Sequence, residues 1–414
     1  MVGGGPAGAA AAIVAARAGR SVRLIDKARF PRDKCCGDGL TTGAVRRLEA
    51  LGLDPRSVPS WKELDDVHVV STRGHQVTFP LPRNAGTFAA IARRSELDMS
   101  VLDLARQAGV VVIEGVGAIG VAQDLDGVTI TADDGRDYLG SIVVAADGMW
   151  STVRKAVVGP HPPTTSAPYL GEWHGYRQYF RDVSALAESG LWVWFEKDLD
   201  GGYVWSFPLA DGSANVGFGI ERRPNRATHV MKQLWPDLLA RPHIRNVLGP
   251  DAVAEGAPKA WPIPADIRGA VLTSGRVLFV GDAAKACDML TGEGIGQALQ
   301  TGIYAGTAIA TEFELGGAAV AERYQRDVRA ELVPDHRMAF ALQRMMRSSL
   351  ICRGSLRVAG ATHWTRTNFA RWLFEDYARG IALTPRRWHR GAMSGAGAYV
   401  GDVVGPIPST QNGN

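Results

Sequence analysis

Three glycines at the start of the chain, Gly3, Gly5 and Gly8 in "MVGGGPAG", constrain its fold more than any other feature. With Pro6 and Ala7 between the last two, they keep the G-x-G-x-x-G spacing of a loop that joins a buried parallel strand to a helix. The N-terminus of such a helix receives a pyrophosphate. "AAAAIVAARAGR" then reads as a helix of small residues, suited to close contact with a neighbour. "SVRLIDK" follows as a short apolar strand ending in Asp26 and Lys27. An acid at that place accepts hydrogen bonds from an adenosine ribose. The pattern predicts a βαβ unit that holds a dinucleotide. Only Met1 and Val2 precede the first glycine, whereas a strand usually runs about five or six residues. The reading frame is therefore expected to start upstream.

Composition narrows the alternatives. The chain has 414 residues, 46% hydrophobic and 21% charged, which suits a globular protein of two or three domains. A net charge of +4 without a block of like charge gives no reason to expect nucleic acid as a partner. Cys35, Cys36, Cys287 and Cys352 are too few for a disulfide scaffold and lack the paired spacing of a zinc site, so no metal is expected. His174 and His363 have no paired carboxylate or second ligand in view and read as core or surface residues. No apolar run is long enough for a transmembrane helix, and Ala9–Ala16 lacks the basic flank of a signal peptide. A cytoplasmic protein is expected.

A second glycine-rich stretch, "GRVLFVGDAAKACDMLTGEGIGQALQTG", lies far along the chain. Gly281 and Asp282 end a strand, and a turn with Gly292, Gly294 and Gly296 opens a helix. An acid there can hydrogen-bond a polyhydroxyl chain, while the helix N-terminus faces a phosphate or a polarised ring carbonyl. Two such motifs so far apart require one long extended ligand. NAD needs only the first; FAD, with its ribityl chain, explains both. Between them lies "VVAADGMWSTVRK", with Asp147, Gly148, Ser151 and Arg154. The three motifs in this order resemble the FAD-dependent monooxygenase and reductase superfamily, with its glutathione-reductase-like FAD fold, over roughly residues 1–310.

The intervening segments change character. "GEWHGYRQYF", "GLWVWFEK", "GGYVWSFPL" and "SANVGFGIE" alternate aromatic and small residues, as strands of a mostly antiparallel sheet would. The expected fold is α/β: a discontinuous Rossmann-like FAD-binding domain (1–62, 88–160 and 271–310) with an inserted, mostly antiparallel substrate-domain sheet (63–87 and 161–270). A helical C-terminal region (311–400) and a flexible tail (401–414) follow.

"FPRDKCCGDGL" and "GGYVWSFPLADGSANVGFG" narrow the resemblance to the geranylgeranyl reductase family, which saturates isoprenoid double bonds. That family has a Cys-Gly-Asp/Glu segment beside the flavin, matched by Cys36, Gly37 and Asp38. Its Y-x-W-x-F-P strand in the substrate domain is matched by Tyr203, Trp205, Phe207 and Pro208. By the same resemblance Arg94 reaches the cofactor, Ala118 borders the adenine, and Gly294 and Ile295 contact the isoalloxazine. The chain departs from the family at Asp288-Met289, usually Asn-Pro, and at Lys285, usually a small residue. The resemblance implies reduction of an isoprenoid C=C bond, with a hydrophobic or lipid substrate and an external electron donor, NAD(P)H or a ferredoxin-like protein. A monooxygenase acting on an aromatic or polyketide-like substrate uses the same motifs, and an FAD-stabilised binding protein is a third reading.

Three features carry further expectations. The alternation at Tyr203, Trp205 and Phe207 suits a substrate pocket and equally a buried strand face. Cys36, by its placement, is a candidate catalytic proton donor, and with Cys287 a candidate redox bridge, the alternative being that both are small apolar fillers. Finally, "DHRMAFALQRMMRSSLICRGSLRVAG" sets Met338, Leu342, Met345, Met346 and Leu350 on one helical face beside Arg337, Arg344, Arg347, Arg353 and Arg357. Such a helix either rests on the inner face of an anionic membrane or packs against the core.

Overall fold

In the computed structural model, which describes residues 1–159, 169–223, 230–381, 384–389 and 391–400, the opening loop bends tightly. A Cβ on Gly8 would stand 1.9 Å from the carbonyl oxygen of Gly3. Val2 occupies the middle of a parallel sheet, bridging Ile25 on one side and Ala145 on the other. Outward from Ile25, the strand Arg23–Asp26 pairs in parallel with Val111–Glu114. Outward from Ala145, Val143–Ala145 pairs in parallel with Val277–Phe279, and Thr273–Ser274 adds a short antiparallel edge. Val143–Ala145 and Val277–Phe279 are wholly apolar and buried, as strands covered on both faces require.

Helix Pro6–Arg17 lies against helix Ile295–Glu312 backbone to backbone. A Cβ on Gly302 would stand 2.1 Å from the Ala7 carbonyl oxygen, and one on Gly306 2.8 Å from that of Ala11. Small residues on both helices thus clamp the opening loop to the late glycine turn. The middle motif ties in the same turn. Ser151 caps the helix Thr152–Val158 through the Arg154 N–H and donates to Asp147 at 2.5 Å. The Arg154 guanidinium then donates to the carbonyls of Val271 and Ala283, 2.9 Å each, just past Asp282.

The second sheet has seven strands in the order Val253–Ile263, Trp173–Arg181, Ala214–Glu221, Tyr203–Pro208, Leu191–Phe195, Asp66–Val70, Gln76–Pro80. Every pair is antiparallel except Leu191–Phe195 with Asp66–Val70. Its period of two sorts the aromatics. Trp192, Trp194, Val204 and Phe218 join a core with Met231, Trp235 and Leu238 of helix Val230–Ala240. Leu191, Val193, Phe195 and Phe207 face the other way, toward Cys352, Leu356, Ala370 and Phe374. Ala118–Gln123, Val128–Ala132 and Asp137–Gly140 form a separate antiparallel meander.

The C-terminal region is helical from Gly317–Met346 through Ser349–Ala359 to His363–Leu373, and mostly turns among the described residues beyond. The expectation of one continuous apolar face there is overturned. The long helix ends at Met346, the chain turns at Arg347, and the Ser348 hydroxyl starts a new helix by accepting from the Ile351 N–H. Leu342 and Met346 turn inward to a cavity, whereas Met345 and Leu350 are 49% and 70% exposed. The expected tail, 401–414, lies outside the described residues.

Candidate active site

A cavity of about 980 Å³ runs between the parallel sheet and the seven-stranded sheet, near the upper end for ligand sites. Gly3, Gly5, Ala7, Asp26, Lys27, Cys36, Gly37, Arg94, Ala118, Asp147, Asp282, Gly294 and Ile295 line it, and so do Tyr203, Trp205 and Phe207. Gly8 does not; it lies beneath the loop, where its missing side chain makes room for the Gly3 carbonyl.

The residues at the two ends suit the two ends of an extended dinucleotide. Gly5 begins helix Pro6–Arg17 with no side-chain cap, leaving first-turn N–H groups for a phosphate. The Asp26 carboxylate is aimed by the N–H groups of Gly4, at 2.6 Å, and Ala28, at 2.7 Å. At the other end Gly294 begins helix Ile295–Glu312, again with no side chain to cap it. Asp282 stands 3.8 Å from the Lys34 ammonium, which itself sits 3.7 Å from the centre of the Trp261 ring. Arg94 is buried and bound through two nitrogens to Asp98, 2.8 Å each, and Asp98 also pairs with Arg32 at 2.9 Å. Asp147 is the exception among the acids. Ser151 and the Val153 N–H take its two oxygens, so its carboxylate shapes the turn.

The loop carrying the cysteines is anchored through Asp38 by two residues that the sequence reading did not single out, Tyr179 and Asn215. Asp38 sits at φ 66 and is fully buried. Its carboxylate accepts from the Tyr179 hydroxyl at 2.6 Å and from Asn215 at 2.8 Å. Asn215 also donates to the Cys36 carbonyl at 2.8 Å and accepts from the Trp205 indole at 3.1 Å. Burial pushes the Asp38 carboxyl up to about 6, against the pull of Tyr179 and Asn215. This network joins the Cys36 loop to the Trp205 strand, so the loop and the aromatic wall are held to one another by hydrogen bonds.

All four cysteines are free, and Cys36 and Cys287 line the same cavity as separate thiols; the bridge expected as one alternative is not formed. Burial raises the Cys36 thiol, partly offset by Arg94, raises Cys287 well above the usual thiol range, and pushes Cys35 up to about 12. Thiolates are the reactive form. Iodoacetamide at pH 7.5 is therefore expected to leave Cys36 and Cys287 unmodified in the folded holoenzyme and to label both after denaturation, as peptide mass spectrometry would read. Labelling of Cys36 as fast as a free cysteine would contradict its environment.

The late turn departs from the family pattern for a visible reason. Asp288, where the family usually has Asn, accepts from Leu290 and Thr291 N–H groups at 3.0 and 2.9 Å and lies 3.6 Å from the buried Arg379. Arg379 holds its carboxyl below the usual range despite burial. Lys285 is in the left-handed region at φ 57 and pairs with Glu172 at 3.8 Å, outside the cavity lining. Glu293 lines the cavity and accepts from the Gly296 N–H at 2.5 Å. Burial, with Glu375 nearby, pushes its carboxyl up to about 8. Glu375 is itself raised by burial, and accepts from Gln297 at 2.9 Å and from Arg379 at 3.3 Å. Tyr203 donates its hydroxyl to the Thr291 carbonyl, joining the aromatic wall to this turn.

Comparisons with known proteins agree with this geometry. The FAD binding domain model matches residues 1–333. The menaquinone reductase of Mycobacterium tuberculosis is 33% identical, covering 79% of this chain and 80% of its own length. The digeranylgeranylglycerophospholipid reductase of Methanoculleus marisnigri is 28% identical over 73% of each. A geranylgeranyl bacteriochlorophyll reductase-like structure from Thermoplasma acidophilum aligns with a TM-score of 0.72 at 18% identity, covering 92% of this chain and 95% of that one. A halogenase solved with FAD aligns at 0.67 and 14% identity, covering 92% and 84%, and so shares the fold. With two uncapped helix N-termini, Asp26 and Asp282 on one cavity, the residues fit FAD, and the chain belongs to the geranylgeranyl reductase family of FAD-dependent oxidoreductases.

Proposed function

We propose that the chain reduces carbon–carbon double bonds of an isoprenoid substrate, a prenyl lipid or the side chain of a quinone. One observation carries the reading beyond the family: toward the C-terminal helices the cavity is lined by apolar side chains. Tyr203, Trp205 and Phe207 form one wall, Leu191, Val193 and Phe195 continue it, and Leu356, Phe369 and Phe374 close it from the C-terminal helices. A long, flexible chain of apolar units fits such a channel, whereas a compact polar ring would leave most of it unfilled.

Bound FAD, once reduced by an external donor such as NAD(P)H or a ferredoxin-like protein, supplies the hydride for one alkene carbon. The chain must hold the alkene, exclude water and deliver a proton to the other carbon. Cys36 and Glu293 line the cavity and both hold a proton at neutral pH because burial disfavours their anions. The aromatic wall supplies contact area and dryness, and the Asp38–Asn215–Trp205 network fixes its distance from the Cys36 loop. The substrate is membrane-borne on this reading, and the enzyme meets it at the inner face of the membrane.

Photoreduced holoenzyme kept free of oxygen is expected to be reoxidised when a detergent-dispersed prenyl quinone or geranylgeranyl lipid is added, with saturated product found by mass spectrometry. Oxygen uptake coupled to a hydroxylated product, with no anaerobic reoxidation by the alkene, would replace this reading with the monooxygenase one.

A further inference from the structure

The C-terminal helices carry an apolar face that none of the other described residues covers. On helix Ser349–Ala359 the inward side is Cys352 and Leu356, 2% and 3% exposed. The opposite side is apolar too: Leu350 and Val358 are 70% and 71% exposed, and Trp364 on the next helix is 69% exposed. A helix apolar on both sides is anomalous in water unless its outer side meets something. The charge pattern says what. From His336 to Phe374 the chain has seven arginines and no Asp or Glu. Among the described residues only Arg347 and Arg371 of these form ion pairs, with Glu221 and Asp376. The arginines are scattered singly, which is why they make no contiguous charge block.

We propose that this face is the docking surface for an anionic bilayer and that it doubles as the substrate portal. Ser355 and Leu356, on the same helix as the exposed Leu350 and Val358, line the cavity, as does Phe369 on helix His363–Leu373, which also carries Trp364. An apolar chain leaving the bilayer here enters the channel without crossing water. Arg344 and Arg357 stay exposed beside the apolar face, where lipid phosphates would neutralise them. A single amphipathic helix is not the device; the turn at Arg347 and Ser348 splits the segment so that Leu342 and Met346 before it line the channel, and the helix after it lines the channel on one side and meets the membrane on the other.

The inference rests on the proposed lipid substrate, but its test does not. Holoenzyme is mixed with vesicles of phosphatidylglycerol and phosphatidylcholine, or of phosphatidylcholine alone, and floated on a density gradient. The wild type is expected to float with the anionic vesicles only. Leu350→Glu with Val358→Glu and Trp364→Glu should lower partitioning at least tenfold with thermal midpoint and flavin content unchanged, because all three side chains are exposed. Arg344→Gln with Arg357→Gln should weaken binding and flatten its salt dependence. A wild type that stays at the bottom of the gradient, a triple variant that floats as well as wild type, or a wild-type dimer in sizing columns that the triple variant abolishes would each overturn the docking surface. An enzyme that floats but never reduces a prenyl chain leaves the surface standing and removes the function. One that reduces detergent-dispersed substrate but does not float does the reverse.

Discussion

Gly302→Val is expected to cost about 3 kcal/mol of stability or more and to yield protein largely without FAD, the former by overpacking at a contact with no slack. Helices Pro6–Arg17 and Ile295–Glu312 meet there through backbone alone, and a Cβ would stand 2.1 Å from the Ala7 carbonyl oxygen and 3.1 Å from the Ala7 Cα. Backbone cannot rotate away as a long side chain can. Relief requires the two helices to separate, and both of their N-termini line the cavity into which we place the dinucleotide. The substitution therefore acts on stability and cofactor affinity together, through one displacement. Gly354→Ala provides the contrast. Gly354 lies within helix Ser349–Ala359 with nothing within 4 Å of a new Cβ, so alanine should be neutral or stabilising by up to about 1 kcal/mol. The ratio of flavin to protein absorbance and the thermal midpoint of both variants check the pair. A Gly302→Val protein that retains full flavin and its midpoint would mean that the helix contact is looser than its geometry.

Residues that the backbone itself demands were the legible ones. Gly3 and Gly8 stand where close approach to backbone admits nothing larger, and such positions announce themselves by spacing; Gly5, between them, would meet only the Arg32 side chain at 3.5 Å. The aromatic strands were legible for a related reason: a period of two states which side chains share a face, so Tyr203, Trp205 and Phe207 could be put together on one wall. Long-range polar partners were not. Asp38 meets Tyr179 and Asn215 across the molecule, and no local pattern around either marks it as a partner for a loop near residue 38. Glu375 and Arg379 arrive from beyond helix His363–Leu373 to meet Asp288 and Glu293, in a segment expected to be helical that turns instead. The helix break after Met346 had a signal, since Ser348 is a good N-cap, but the apolar spacing on both sides of it outweighed that residue.

The largest pH effect is expected from Glu293. Its carboxyl is pushed up to about 8 in the folded chain by burial and the neighbouring Glu375, against about 4.3 when unfolded. Below pH 4 both states hold the proton and Glu293 contributes no pH dependence. Between about pH 4.5 and 8 the unfolded chain ionises there while the folded chain does not. The folded state binds more protons over that window, so stability falls as pH rises, by up to about 1.4 kcal/mol per unit for one such group. Above 8 the folded carboxyl ionises too and the fall levels off. Glu293→Gln keeps the shape and the acceptor oxygen for the Gly296 N–H but cannot ionise. Urea midpoints of the variant with excess FAD should therefore decline less between pH 5 and 8 than those of wild type, with the variant the more stable at pH 8. If Glu293 also gives up its proton to the substrate, the wild-type rate of anaerobic reoxidation by the alkene should fall as pH rises through 8, and the variant should be slower by about 10²-fold at neutral pH. The two readouts separate the roles. A flattened stability profile with an unchanged rate leaves Glu293 as a buried acid that only shapes the late turn and moves proton delivery to Cys36; a pH profile of stability identical to wild type would show that Glu293 is already ionised in the folded protein.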